Sequence, residues 1–145
     1  MSVDEDVQLL AQTPLFEGID DAHLRVIAYA AEQHAVPAGD WLVRQGQELP
    51  AGFLVRAGTA EAHMEEDPAT RLHISRGAFI GDGAMIAGLP HRMHVQALEE
   101  LHVLRIPREL FLHVCHEFPE MGKLVMANYA RRMATVMSAL QTLLP

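Results

Sequence analysis

Apolar residues recur at helical spacing near both ends of this chain and in short runs between them. After Asp20 and Asp21, which predict a cap, Leu24, Ile27 and Ala28 or Ala31 share one face of a helix reaching about Ala31. From His34 to Ile106 the texture changes to short β-type runs roughly every eight to twelve residues, punctuated by Gly or Pro. The runs are Trp41 to Arg44, Phe53 to Arg56, Thr59 to Met64, Leu72 to Ser75, His91 to Gln96 and Leu101 to Ile106. That spacing predicts a jelly roll or small barrel. The acidic turn Glu65-Glu66-Asp67-Pro68 joins two of these strands at the surface, with no role beyond solvation. Past Ile106 the helical period returns, with Pro107 in the first turn and a break at Phe118-Pro119.

The last helix, from about Pro119 to Leu143, carries a second pattern. Met126, Tyr129, Met133, Val136, Leu140 and Leu143 alternate spacings of three and four, a heptad seam. Such a seam needs a partner. A two-fold homodimer through this helix is expected, the alternative being a helix laid back over its own barrel. Residues 1–118 and the helix 119–145 are read as parts of one domain.

Composition adds bounds. A chain of 145 residues, half of them hydrophobic, buries one moderate core. The single cysteine, Cys115, has no partner within the chain, which fits a reducing compartment. The start, Met1-Ser2-Val3-Asp4-Glu5-Asp6, is acidic where a signal peptide is basic, and no apolar run approaches a membrane span. A cytoplasmic location and no membrane contact are expected. Eleven basic against nineteen acidic residues give a net charge of −8 with no basic stripe, so nucleic-acid binding is not expected.

The chemistry concentrates between residues 77 and 97. Gly77, Gly81 and Gly83 allow the backbone to approach an anion, and a short apolar helix beginning near Asp82 aims its free N–H groups the same way. Pro90, His91 and Arg92 follow, before a strand ending Val95-Gln96-Ala97. This order, Gly-x-x-Phe-Ile-Gly-acid, small apolar helix, proline, basic pair and strand, resembles the phosphate-binding cassette of the cyclic nucleotide-binding domain family, which includes catabolite activators and kinase regulatory subunits. Gly77, Ile80, Gly81, Asp82, Gly83, Ala84, Met85, Pro90, Val95 and Ala97 align with the family pattern without a gap. Pro14-Leu15-Phe16, Pro37 to Leu42, Arg44 to Gln47, Gly52 to Val55, Ala57-Gly58 and Ile106 to Phe111 extend the resemblance over nearly the whole chain. It implies an α+β, mainly β fold: a jelly-roll barrel with N-terminal helices and a long C-terminal helix.

The resemblance also implies a ligand-binding set: Ile80, Gly81, Asp82, Gly83, Ala84, His91, Arg92, Leu72, Ile74 and Thr135. Asp82 stands where the family has a glutamate for the ribose 2′-hydroxyl, and it serves equally as an N-cap of the cassette helix. Gly83 replaces a leucine and predicts a looser helix. The family's arginine position is occupied by His91, with Arg92 one place on, and strand neighbours point to opposite faces. Either a bulge swings Arg92 onto the phosphate, or His91 is a pH-dependent substitute, or Arg92 is a solvated surface residue. Leu72 and Ile74 floor a base pocket or are ordinary barrel core. On the last helix Thr135, Val136 and Ser138 lie where the family closes over the base. His113, Cys115 and His116, and His91 with His94, lack metal-ligand geometry, so no metal and no cofactor are expected.

The expected function is a stand-alone, non-catalytic sensor that binds a cyclic nucleotide, cAMP ahead of cGMP, and signals to an unidentified protein partner. The chain reaches Pro145 with no helix-turn-helix after the last helix. The alternative is a dimeric scaffold module that has lost nucleotide binding, which Asp82, Gly83 and His91 favour. A cupin-type enzyme would need a cluster of inward histidines with a carboxylate, and no such set is present.

Overall fold

The computed structural model describes the backbone of residues 1–143 and their side chains except those of Val136 and residues 139–143. Two helices open the chain, α1 (Val3–Gln12) and α2 (Asp21–Ala30), joined through a 3-10 turn at Pro14–Phe16. Eight strands follow: β1 (Glu32–Val36), β2 (Trp41–Val43), β3 (Ala51–Ala57), β4 (Ala60–Met64), β5 (Asp67–Ile74), β6 (Phe79–Ile80), β7 (His94–Ala97) and β8 (Leu101–Pro107). A short helix α3 (Asp82–Ala87) lies between β6 and β7, and α4 (Arg108–Glu117) and α5 (Pro119–Leu143) close the chain.

The strands form two antiparallel four-stranded sheets, in the orders β1-β8-β3-β6 and β2-β7-β4-β5. This is the expected jelly roll. The period-two alternation of β3 and β8 explains how one sheet serves two cores. Phe53, Val55, Leu101 and Val103 point between the sheets, where they meet Val36, Val43 and Val95. Their neighbours Leu54, Leu104 and Ile106 point the other way, onto a helical layer built from Leu10, Leu15, Phe16, Leu24, Ile27, Phe111 and Val125.

Several elements differ from the sequence expectations: β6 is not among the expected runs, β7 begins at His94 rather than His91, and Pro107 ends β8 and caps α4 rather than lying in its first turn. Helix α1 was not predicted, although Ser2 caps it by accepting the Glu5 N–H at 3.2 Å and Asp4, Glu5 and Asp6 sit in its first turn, where the helix dipole favours them. Strand β1 was also missed: Glu32, Gln33, His34 and Ala35 are exposed on the edge of the sheet, so no hydrophobic alternation marks them. Strand β5 begins at Asp67, so only Glu65 and Glu66 form the turn, and Asp67 and Pro68 belong to the strand.

Helix α5 is held to the N-terminal layer by its first half. Met121 and Val125 are buried there, and the buried Asn128 donates from Nδ2 to the carbonyls of Leu15 at 3.0 Å and Glu17 at 2.9 Å. This side-chain clamp settles the course of the helix. Its next turn passes over the open side of the barrel.

Candidate functional site

A cavity of about 370 Å³ opens between the cassette, the sheet β2-β7-β4-β5 and α5. Its size falls within the roughly 300 to 1,000 Å³ typical of small-ligand sites. Val43, Ala62, Leu72, Ile74 and Val95 give it an apolar floor, while Gly81, Asp82, Gly83 and Ala84 form one rim. Leu89, Pro90, His91 and Arg92 continue that rim, and Tyr129, Arg132 and Met133 of α5 roof it.

The cassette turn depends on Gly81. Its φ of +84° lies in the left-handed region, and an added Cβ would stand 2.7 Å from His91 Cε1 and 2.8 Å from the Ala51 carbonyl oxygen. Gly81 thus takes the N-cap position of α3, which corrects the N-cap alternative for Asp82. Asp82 is instead the first residue of the helix, 7% exposed, and its Oδ1 accepts the Gly83 N–H at 2.8 Å. Oδ2 is buried and makes no well-directed hydrogen bond. Arg132 Nη1 stands 3.1 Å from that oxygen as an ion pair, but its N–H groups are not aimed at it. Arg92 Nη2 lies 3.9 Å from Oδ1. A buried carboxylate oxygen in this condition calls for a donor.

The hydrogen bonds of His91 run to the neighbouring loop. The residue precedes β7 and directly adjoins the bend at Arg92 and Met93, so the alternating faces expected of a strand beginning at His91 do not apply there. Its backbone N–H donates to Gln47 O at 3.0 Å, its carbonyl accepts the Gly46 N–H at 2.8 Å, and ring Nε2 lies 2.8 Å from the Leu49 carbonyl. A carbonyl only accepts, so Nε2 carries the proton and donates it. Burial lowers the His91 pKa from its ordinary 6.5, with the Leu49 bond opposing the shift, and a neutral ring follows. His91 is a peg that ties the cassette to the loop before β3.

The structure brings together Ile80, Gly81, Asp82, Gly83, Ala84, His91, Arg92, Leu72 and Ile74 around the cavity. Leu72 is half exposed there rather than ordinary core. Thr135 is not at the site: it is exposed on α5 and donates its hydroxyl to the Arg131 carbonyl at 3.0 Å. Ser138 is exposed, and the side chain of Val136 is outside the described residues. The sequence reading missed Arg132 entirely and assigned Tyr129 and Met133 to a dimer seam. These three sit at i, i+3 and i+4, one face of a helix, which was the available signal. Gly83 makes room for that face, since a Cβ there would lie 3.1 Å from the Tyr129 hydroxyl. Of the remaining seam, Met126 is exposed, and the side chains of Leu140 and Leu143 are outside the described residues. Among the described residues no group of three His, Cys, Asp or Glu is placed to hold a metal ion.

The model of the family described as the cyclic nucleotide-binding domain matches residues 33–118, which include the whole cassette. The chain belongs to that family. The domain is 28% identical, over 91% of its length, to a cyclic nucleotide-gated potassium channel of Mesorhizobium japonicum. It is 30% identical, over 70% of its length, to a cAMP-dependent protein kinase regulatory subunit of Emericella nidulans. It spans only 36% and 25% of those two proteins. In fold it is similar to the N-terminal domain of a transcriptional regulator from Streptomyces coelicolor, with a TM-score of 0.80 at 21% identity, covering 90% of this chain and 93% of that one. The cyclic nucleotide-binding domain is a regulatory module without catalysis, in agreement with the expectation that this chain is not an enzyme. No helix among the described residues is long and apolar enough to cross a membrane.

Proposed function

We propose that this domain is a cAMP receptor that passes its occupied state through α5 to a protein partner. The observation that carries this reading is Asp82: a buried carboxylate with one oxygen lacking a directed donor, on the glycine-built rim of an apolar-floored cavity. A sugar hydroxyl would satisfy that oxygen, and the apolar floor at Leu72, Ile74 and Val95 would take a purine face. The relation to a regulatory subunit whose name specifies cAMP supports this ligand over cGMP. Cys115, a lone thiol, favours a cytoplasmic setting.

Two further parts of the reading concern α5. Because Tyr129 and Met133 face the chain's own cavity, pairing of two copies through this helix would use Met126 and Met137, 48% and 56% exposed. A signal to a partner would leave by the same helix, which touches both the cavity and the N-terminal layer. The second reading, a scaffold without ligand, is favoured by one observation: His91, at the family's arginine position, is neutral and committed to Leu49.

The test is thermal unfolding of the purified protein with cAMP, cGMP and 5′-AMP. A ligand at a hundredfold excess over its Kd adds about 2.7 kcal/mol to the folded state. The expected result is a saturable rise of Tm with cAMP, a smaller one with cGMP and none with 5′-AMP. No shift with either cyclic nucleotide would establish the scaffold reading instead.

A further inference from the structure

We infer that the guanidinium which takes the phosphate of the ligand is that of Arg132, supplied by α5 and not by the cassette; this rests on the cyclic nucleotide reading above. Of the cassette's two candidates, His91 is unsuited to the task, because it is buried, uncharged and donates its ring proton to the Leu49 carbonyl. A phosphodiester anion entering the cavity needs a cation nearby, and two arginines stand at Asp82. Two guanidinium groups and one carboxylate leave a local charge of +1, which a singly charged phosphodiester balances. The two arginines are not equivalent. The Arg92 side chain is 64% exposed and 3.9 Å from Asp82, whereas that of Arg132 is 39% exposed and 3.1 Å from the undirected Oδ2. The less solvated cation forms the stronger bond to an incoming anion.

The surroundings of Arg132 place it over the cavity. Asn128 fixes the helix one turn earlier through Leu15 and Glu17, and Tyr129 and Met133, on the same face, line the cavity with it. Arg132 and Asp82 therefore face each other at the rim of the cavity without a well-directed hydrogen bond. On binding, each exchanges the other for a ligand group: Asp82 takes the sugar hydroxyl and Arg132 the phosphate oxygens. Anion recognition and the placement of α5 become one event, since the site loses the less exposed of its two cations whenever α5 is elsewhere.

Calorimetric titration of the wild type, Arg132→Ala, Arg132→Lys and Arg92→Ala with cAMP and with adenosine tests this. Arg132→Ala should weaken cAMP roughly 10- to 100-fold, as expected for loss of charge-assisted bonds. The ratio of cAMP to adenosine affinity should fall by the same factor, because adenosine has no phosphate. Arg132→Lys should recover only part of the loss, since an ammonium lacks the planar fork. Arg92→Ala should cost less than Arg132→Ala. Circular dichroism checks that each variant is folded, and the lysine variant keeps the test open if the alanine variant is not. An equal loss for cAMP and adenosine would reduce Arg132 to a packing role, and a loss confined to Arg92→Ala would assign the phosphate to that residue; either overturns the inference. A wild type that binds no cyclic nucleotide overturns the receptor reading itself, and the inference with it.

Discussion

Two carboxylate–arginine pairs tie helices to the barrel, and they differ in what surrounds them. Asp6 of α1 and Arg56 of β3 lie at 2.9 Å with a directed Nε to Oδ1 bond, and both side chains are 4% exposed. Arg76 adds a bond from Nη1 to the Arg56 carbonyl at 2.8 Å, so the backbone beneath the pair is braced as well. Asp82 of α3 and Arg132 of α5 are only slightly farther apart, at 3.1 Å, yet the arginine is 39% exposed and the bond is undirected. The first pair has no solvent to exchange with. The second borders a cavity and keeps an unsatisfied oxygen. The same two residue types thus form a sealed fastening in one place and a partly exposed pair at the rim of a cavity in the other.

The contrast breaks most visibly under substitution. Asp6→Ala leaves Arg56 charged, buried and without its partner, a situation that typically costs about 3–5 kcal/mol. Asp82→Asn, by contrast, should change stability by less than about 1 kcal/mol, as for a partly solvated pair. Urea unfolding of both variants measures the difference, and equal costs would erase the distinction. Gly81→Ala comes next. It forces a left-handed backbone on alanine and drives Cβ into the Ala51 carbonyl and the His91 ring, so about 2 kcal/mol or more should be lost. Asn128→Ala strips the donor from the Leu15 and Glu17 carbonyls and should cost about 1–3 kcal/mol. It should also loosen α5 over the cavity, seen as faster amide exchange in residues 129–133 than in α1.

The smallest effect is that of pH. Burial lowers the His91 pKa below its ordinary 6.5, so the unfolded chain binds a proton more readily than the folded one. Stability from this residue is therefore complete above the ordinary pKa and declines as pH falls below it. Tm should drop between about pH 7.5 and about pH 5.5, and His91→Gln, whose amide can keep the bond to Leu49, should reduce that drop. His63 is shifted in the same direction, so part of the drop should remain in the variant.

Much of the barrel was legible because Gly and Pro punctuate its strands at regular spacing, and because β3 and β8 alternate as two-sided strands must. Strand β1 was not, since four of its five residues face solvent on a sheet edge and carry no hydrophobic signal. Helix α1 carries a readable sign, Ser2 followed three residues later by Glu5, within an acidic start that also argues against a signal peptide. At the site, the cassette glycines and Asp82 could be found from their order alone. The roles of His91 and Arg92 could not, because both residues lie before the strand, where alternation does not hold, and His91's partner, Leu49, is 42 positions away. Arg132 went unnoticed for a related reason: a heptad pattern records which residues share a face, but not what that face meets. Here Tyr129 and Met133 meet the chain's own cavity, and Arg132 comes with them.

Amide chemical shifts of the isotopically labelled protein, followed as cAMP is added, test the central claim most directly. The account predicts saturable shifts concentrated in residues 81–84 and 129–133, around the exchangeable pair, while the amides of Asp6 and Arg56 stay in place. Spectra unchanged at high cAMP, or shifts centred on the sealed pair instead of the cassette, would contradict it.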